Sequence, residues 1–328
     1  MDYKSKGKIL RGVGGLWLVE LERDASPLGG ATVACRAQGK LHTSERKKLL
    51  VGDNVEVSYT DASFTSAPDG TFSPVADPSG LPGAAVCALC ERRNELIRPP
   101  MANLDLLFVA CASASPAPAT GTIDKVLSVA EYHGIEPVII IGKCELDRAR
   151  TEELVRTYTL AGYRVFPLSC ATGEGVDAIA AYIKENLPGR VAAFAGASGV
   201  GKSTLINTLF PSLGLEAGEI SRKIERGRHT TRRVDLFPLD GGGYLADTPG
   251  FSLIDFENFD FFPFEALLGT MREFEPFLGE CRYTDCTHTK EDGCLVLRAV
   301  EEGKIARSRH DSYLEMYGIL KNKKPWKK

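Results

Sequence analysis

Residues 196–204 form a glycine-rich stretch of the type that cradles phosphate groups. Gly196 and Gly201 bracket it, and Lys202 and Ser203 follow at the spacing of a P-loop. Such glycines let backbone N–H groups turn inward around a β-phosphate, while the lysine reaches the β- and γ-oxygens and the serine ligates Mg²⁺. An apolar run before the stretch and a helical run after it favour a P-loop over a chance turn. We expect nucleotide contacts from Ser198, Gly199, Val200, Gly201, Lys202, Ser203 and Thr204, with Lys202 also catalytic.

A second phosphate-side motif, Asp-Thr-Pro-Gly, begins at Asp247, about 45 residues after Lys202, directly behind the apolar run 244–246. In P-loop proteins a carboxylate at a strand end holds Mg²⁺ through water, and the following glycine offers its N–H to the γ-phosphate. We therefore predict Asp247 as a Mg²⁺ ligand and Gly250 as a catalytic residue.

The segment 228–232, which lies between these motifs, carries two adjacent threonines. Thr230 or Thr231 could complete Mg²⁺ coordination when a γ-phosphate is present, so this segment is a candidate switch. No glutamine follows the glycine of the second motif, so another group must orient the attacking water. His229 is the nearest candidate and is predicted to be catalytic, with a surface histidine as the alternative.

Two polar segments stand upstream of the P-loop, at 142–146 and 169–173, each at the end of an apolar run. In Ras-like GTPases, Asn-Lys-x-Asp reads guanine and Ser-Ala-x supports it through backbone N–H groups. Here Lys143 can lay its stem along a base and Glu145 keeps a carboxylate for the guanine N1 and N2 hydrogens, but Gly142 brings no side-chain amide. GTP should still be preferred over ATP, by a smaller margin. We expect base contacts from Lys143, Glu145, Ser169, Cys170 and Ala171.

Three cysteines and one histidine fall within fourteen residues near the C-terminus: Cys281, Cys286, His288 and Cys294. Three thiolates and an imidazole complete a tetrahedral structural Zn²⁺ site without an open position for chemistry. The residues between them are mostly polar, so the metal would supply folding energy. Buried cysteines brought together by coincidence are the alternative.

The elements that must position these residues change along the chain. Short Val-rich alternating runs at 12–20, 32–37 and 54–59 indicate a small β-barrel. From about residue 104, apolar strands alternate with helical segments, which indicates an α/β domain with a largely parallel sheet. We predict an OB-fold barrel over 1–96, the nucleotide domain over 97–262 and a zinc-binding module over 263–328.

Composition limits the possible partners. The net charge is −3, so any RNA contact must come from local basic patches such as 221–233 and the five lysines of 321–328; a solvated surface is the alternative reading of such runs. No apolar run approaches the roughly 20 residues of a membrane span, and the N-terminus lacks an apolar signal region. We expect a cytoplasmic monomer that does not contact a membrane.

Along this chain the base motifs come first, the P-loop second and the switches last. This order resembles that of the circularly permuted GTPases dependent on the small ribosomal subunit, the RsgA/YjeQ family. The resemblance also covers the barrel, residues 98–105 and 227–231, and the Cys/His cluster; this chain departs from the family pattern at Gly142 (Asn in the family) and Glu145 (Asp). It implies an OB-like barrel, a circularly permuted P-loop GTPase domain and a zinc-binding α-helical module. The implied ligands are GTP or GDP with Mg²⁺, and structural Zn²⁺.

The function implied by the resemblance is GTP hydrolysis in late maturation of the small ribosomal subunit. The enzyme would bind rRNA in a nucleotide-dependent way, and hydrolysis would promote release. Two alternatives remain open on sequence alone: a zinc-dependent RNA-binding adaptor whose nucleotide site barely hydrolyses, and an ATPase of similar shape.

Overall fold

Residues 2–38, 48–66, 72–74, 83–213, 234–247 and 255–323 are described by the computed structural model of the chain. The sites predicted at His229, Thr230, Thr231 and Gly250 lie outside these ranges. None of the helices in the described part of the chain combines the length and the apolar character that a bilayer crossing requires.

The N-terminal part is a closed barrel. Its strands and the two hairpins beside it are β1 (Asp2–Val13), β2 (Leu16–Leu21), β3 (Thr32–Ala37), β4 (Asn54–Thr60), β5 (Phe64–Ser66), β6 (Phe72–Pro74), β7 (Ala84–Leu89), β8 (Glu95–Leu96) and β9 (Met101–Ala102). The barrel closes in the order β1-β2-β3-β7-β4. Along β4, Val55, Val57 and Tyr59 are buried and alternate with more exposed residues, as one inward-facing side of a strand requires.

The expected first strand, 12–20, has the wrong bounds. β1 begins at Asp2, and a turn at Gly14 and Gly15 separates it from β2. Both glycines have positive φ values, 59° and 85°, which other residues rarely adopt. The chain therefore reverses there and forms an antiparallel hairpin.

A six-stranded α/β sheet follows the barrel. Its elements are β10 (Leu106–Ala112), α1 (Thr120–Tyr132), β11 (Glu136–Gly142), α2 (Arg148–Leu160), β12 (Arg164–Pro167), α3 (Val176–Asn186), β13 (Val191–Ala195), α4 (Lys202–Leu209), β14 (Asp235–Pro238) and β15 (Tyr244–Asp247). The strand order is β12-β11-β10-β13-β15-β14, with all neighbours parallel except β14 and β15. Every residue of β10 is buried, as expected for a strand packed on both faces. The predicted α/β sheet and N-terminal barrel are confirmed.

The strand order places a ligand site between β10 and β13. The chain first runs outward from β10 to β12 and then returns to the other side of β10 to build β13, β15 and β14. In such sheets ligands bind at the carboxyl ends of the strands, where the order reverses. The crevice between β10 and β13 is this switch point, and the P-loop follows β13 directly.

The C-terminal part packs on the sheet domain through a buried ion cluster. It contains short 3₁₀ turns, among them Arg272–Phe277, and the helices α5 (Leu295–Glu301) and α6 (Arg307–Asn322). Arg309 of α6 is fully buried; its Nη1 donates to Asp124 Oδ1 of α1 at 2.7 Å and its Nε to Glu273 Oε1 at 2.7 Å. Ser312 Oγ donates to the second Asp124 oxygen at 2.5 Å. Three separate stretches are thus joined by charge-assisted bonds without water access.

Candidate nucleotide-binding site

The P-loop bends as only glycines permit. Gly196 has φ +140°, and a Cβ there would lie 2.1 Å from the backbone oxygen of Ala110. Gly201 has φ +99° and caps the N-terminus of α4. The loop therefore presses against β10 and ends at a helix N-terminus, where free N–H groups and the helix dipole favour phosphate.

Lys202 places its ammonium group at the inner side of this loop. Its Nζ donates to the backbone oxygen of Gly196 at 2.6 Å and of Ala197 at 2.7 Å. The side chain is half-buried, and burial lowers the pKa of Lys202. A cation held where the loop N–H groups converge suits the negative oxygens of a triphosphate.

Lys143 ties the predicted base segment to the P-loop. It follows β11 with φ +56°, and its Nζ donates to the backbone oxygen of Gly199 at 2.8 Å and to that of Ser115. Ser113 Oγ donates to the Lys143 backbone oxygen at 2.6 Å. Ser113 and Ser115 were not predicted as site residues, although both lie within three residues of the end of β10, at the carboxyl edge where ligands bind.

One cleft of about 210 Å³ joins segments far apart in sequence. Its lining residues are Ala110, Cys111, Ile140, Gly142, Lys143, Glu145, Leu168, Cys170, Ala171, Val200, Gly201, Lys202, Thr204 and Leu205. The base segments and the P-loop therefore face the same space. Glu145 Oε2 is buried there and has no hydrogen-bond partner among the described residues. An unpaired buried carboxylate oxygen calls for an N–H donor from a ligand.

The remaining predicted base residues divide into two groups. Cys170 and Ala171 line the cleft, whereas Ser169 is fully buried behind them. Ser169 Oγ accepts a bond from the backbone N–H of Thr172 at 3.2 Å, and the Ser169 backbone N–H donates to the backbone oxygen of Glu174 at 2.8 Å. Ser169 thus holds the turn that presents its two neighbours.

The phosphate side of the site includes the end of β15. Ala246 pairs with Ala193 of β13, so Asp247 lies one residue further along, close to the start of the P-loop. Ser203 occupies the first turn of α4 beside Lys202. Asp247 ends β15 and Ser203 follows β13 through the P-loop, so these two predicted Mg²⁺ ligands come after adjacent strands. Ser198 and Gly199 belong to the loop itself without lining the cleft.

The four predicted zinc ligands come together in the C-terminal part. The ligand atoms of Cys281, Cys286, His288 and Cys294 all lie within 4.8 Å of one another, and His288 Nδ1 is 3.4 Å from Cys294 Sγ. Backbone N–H groups donate to sulfur from Leu295, at 3.4 Å to Cys281 Sγ, and from Leu297, at 3.5 Å to Cys294 Sγ. Such donors stabilise thiolates, so the donor set fits a tetrahedral Zn²⁺.

Helix α6 supports the zinc loop from behind. His310 Nε2 bonds the His288 backbone oxygen at 2.8 Å, and Tyr313 Oη donates to that of Thr287 at 2.8 Å. Within the loop, burial would raise the pKa of Glu291, but hydrogen bonds from Thr287 and from nearby backbone N–H groups lower it to about 2. His310 and Tyr313 gave no signal in the sequence, because they lie on a polar helix without a recognisable motif.

A P-loop on one largely parallel sheet, with base-side segments that precede it in the chain, defines a circularly permuted P-loop GTPase. The family model described as RsgA GTPase matches residues 89–257. The chain belongs to the RsgA GTPase family, as the motif order predicted.

Individual relatives match over nearly the whole chain. The small ribosomal subunit biogenesis GTPase RsgA of Caldanaerobacter subterraneus is 37% identical over 319 residues, covering 97% of this chain and 96% of the relative. That of Alkaliphilus metalliredigens is 37% identical over 320 residues, covering 97% and 98%. The crystal structure of YjeQ from Thermotoga maritima matches with a TM-score of 0.76 at 30% identity, covering 98% and 100%. YloQ, described as a circularly permuted GTPase, matches with a TM-score of 0.71 at 29% identity, covering 99% and 98%.

Proposed function

We propose that the protein is a GTP hydrolase that acts in late maturation of the small ribosomal subunit. It binds rRNA in a nucleotide-dependent way, and hydrolysis promotes its release. The observation that carries the proposal is that one cleft is lined both by Glu145, whose Oε2 has no partner among the described residues, and by the P-loop lysine. The relatives are named as small ribosomal subunit biogenesis GTPases, which suggests the partner. We assign the protein to the cytoplasm as a monomer with the domain limits predicted above.

Different residues of the chain bind the phosphates, the base and the metal ion of GTP. The P-loop N–H groups and Lys202 bind and orient the β- and γ-phosphates, and Glu145 accepts from the guanine N1 and N2 hydrogens. Mg²⁺ bound with the nucleotide would be held by Ser203, Asp247 and Thr230 or Thr231, and would neutralise charge that develops on the phosphate oxygens. Gly250 offers its N–H to the γ-phosphate, and the segments around Thr230 and Gly250 are released after hydrolysis.

The test is multiple-turnover phosphate release from GTP with and without purified small ribosomal subunits. We expect subunits to raise turnover by at least about tenfold, because a GTPase without its own water-positioning glutamine is slow alone. The large ribosomal subunit serves as the matched control. An equal rate at every small-subunit concentration would favour the RNA-binding adaptor instead.

Replacing His229 by alanine should lower turnover about 10²–10⁴-fold, because this histidine is proposed to orient the attacking water. The affinity for GTP should stay within about threefold of the parent value, since phosphate and base contacts remain. Single-turnover hydrolysis and equilibrium binding measured on the same sample separate the two effects. Unchanged turnover would remove His229 from the mechanism.

We propose that Cys281, Cys286, His288 and Cys294 hold one structural Zn²⁺. Cys294→Ser should remove the metal from the purified protein and lower its melting temperature, because the mostly polar loop relies on the ion for folding. Cys90→Ser, a half-buried cysteine of the barrel end, should keep one zinc per chain. Metal content by atomic absorption measures both variants. One retained zinc in Cys294→Ser would contradict this ligand set.

A further inference from the structure

The cleft presents a carboxylate to one edge of a guanine base. Guanine carries N1–H and N2–H donors on one edge and the acceptors O6 and N7 on the other. Glu145 is the sole carboxylate among the described residues that line the cleft, and its Oε2 lacks a partner there. We therefore expect the N1–H and N2–H groups of the base to face Glu145. In that orientation O6 and N7 point away from Glu145.

Few side chains of the cleft could donate to N7. Among the described lining residues, the nitrogen donors are the ammonium groups of Lys143 and Lys202. Lys143 Nζ donates to the Ser115 and Gly199 oxygens and Lys202 Nζ to the Gly196 and Ala197 oxygens, so both ammonium groups are anchored at the P-loop. None of these described residues carries a side-chain amide or guanidinium, and Thr204 stands in the first turn of α4, on the phosphate side.

Gly142 is the position at which such a donor is missing. It ends β11, lines the cleft, and its backbone oxygen accepts from Ser113 N–H at 2.9 Å. A Cβ built at Gly142 would lie 3.3 Å from the Val200 oxygen and 3.5 Å from the Cys111 oxygen. A side chain would thus leave the backbone at the junction of base segment and P-loop, with only slight crowding.

We propose that Gly142 makes this site indifferent to atom 7 of the purine, so that its substrate class is guanine nucleotides whether that atom is nitrogen or carbon. The inference rests on the proposed reading of guanine by Glu145. N7 loses water on binding without gaining a side-chain donor, whereas a C7–H group has no acceptor to desolvate. A 7-deazaguanine nucleotide therefore binds at least as tightly as its guanine counterpart.

Equilibrium competition with GDP, 7-deaza-GDP and ADP tests the inference on the full chain. Diphosphates avoid turnover during the measurement. For the parent protein we expect equal Kd values for GDP and 7-deaza-GDP within about twofold, and ADP weaker by about tenfold or more. Binding of 7-deaza-GDP about fivefold weaker than GDP would overturn the inference while leaving the guanine site intact. Equal Kd values for ADP and GDP would instead contradict the proposed recognition of guanine by Glu145.

Two variants at one position isolate the amide. In Gly142→Asn the new amide can donate to N7, so GDP should bind better than 7-deaza-GDP. We expect the Kd of 7-deaza-GDP divided by that of GDP to rise from about one to about five. Gly142→Ala adds the Cβ without the amide, so any crowding against the Val200 oxygen weakens both ligands equally and keeps the ratio near one. The same ratio in both variants would show that position 142 does not set the preference.

Discussion

Replacing Arg309 by methionine should lower the free energy of unfolding by about 3–5 kcal/mol. The substitution keeps a long apolar side chain but leaves the carboxylates of Asp124 and Glu273 buried without their cation. These two residues belong to α1 and to the 3₁₀ turn before the zinc loop, so the loss falls on the contact between the sheet domain and the C-terminal part. Urea unfolding followed by circular dichroism measures it.

Arg307→Met provides the matched control. Arg307 lies in the same helix turn but is exposed, and we expect a change within about 0.5 kcal/mol. A deficit of similar size in both variants would point to helix propensity instead of the buried cluster. A stability for Arg309→Met within about 1 kcal/mol of the parent protein would show that the cluster contributes little net energy, as some buried ion pairs do.

The sequence does not predict this cluster, for a physical reason. Arg309 lies in a polar helix, where an arginine is ordinarily solvated, and its partners are 36 and 185 residues away along the chain. Only the packing of α6 on α1 decides that its charge is buried. The same holds for Lys143, whose bond to the Gly199 oxygen depends on two loops meeting across the sheet.

Local patterns, by contrast, predict the motifs whose residues lie close together along the chain. The P-loop and the zinc cluster each lie within fifteen residues, so their spacing alone indicates phosphate or metal chemistry. The alternation of apolar runs and helices predicted the α/β sheet, which is confirmed, because parallel strands need such crossovers. The prediction of one strand over 12–20 is wrong because Gly14 and Gly15, both with positive φ, form the turn between β1 and β2.

The two halves of the base site are an intermediate case. Residues 142–146 and 169–173 each follow an apolar run, and the sheet brings both to one edge beside the P-loop. Sequence order could suggest this arrangement only through the family pattern, since composition does not tell which strands are neighbours. The burial of Ser169 behind the turn depends on side-chain packing, which strand-end reasoning does not describe.

Replacing Lys202 by alanine should lower GTP turnover about 10²–10³-fold, the usual cost of removing one fixed donor from a developing charge. Two of the three ammonium hydrogens bond the Gly196 and Ala197 oxygens at the inner side of the loop, which leaves the third for the β- and γ-phosphates. Its loss should also weaken GTP more than GDP, because the γ-phosphate carries the extra charge. Single-turnover hydrolysis and competition between GTP and GDP measure the two effects.

Lys184→Ala is the matched control, because this lysine lies on α3 and does not line the nucleotide cleft. Its turnover and its GTP to GDP preference should equal those of the parent protein within about twofold. Lys202→Arg keeps the charge on a larger, planar group and should restore affinity better than turnover, since the loop fits a compact ammonium. If Lys202→Ala hydrolysed GTP within threefold of the parent rate, the phosphates would have to bind away from this loop, and the cleft between β10 and β13 would not be the catalytic site.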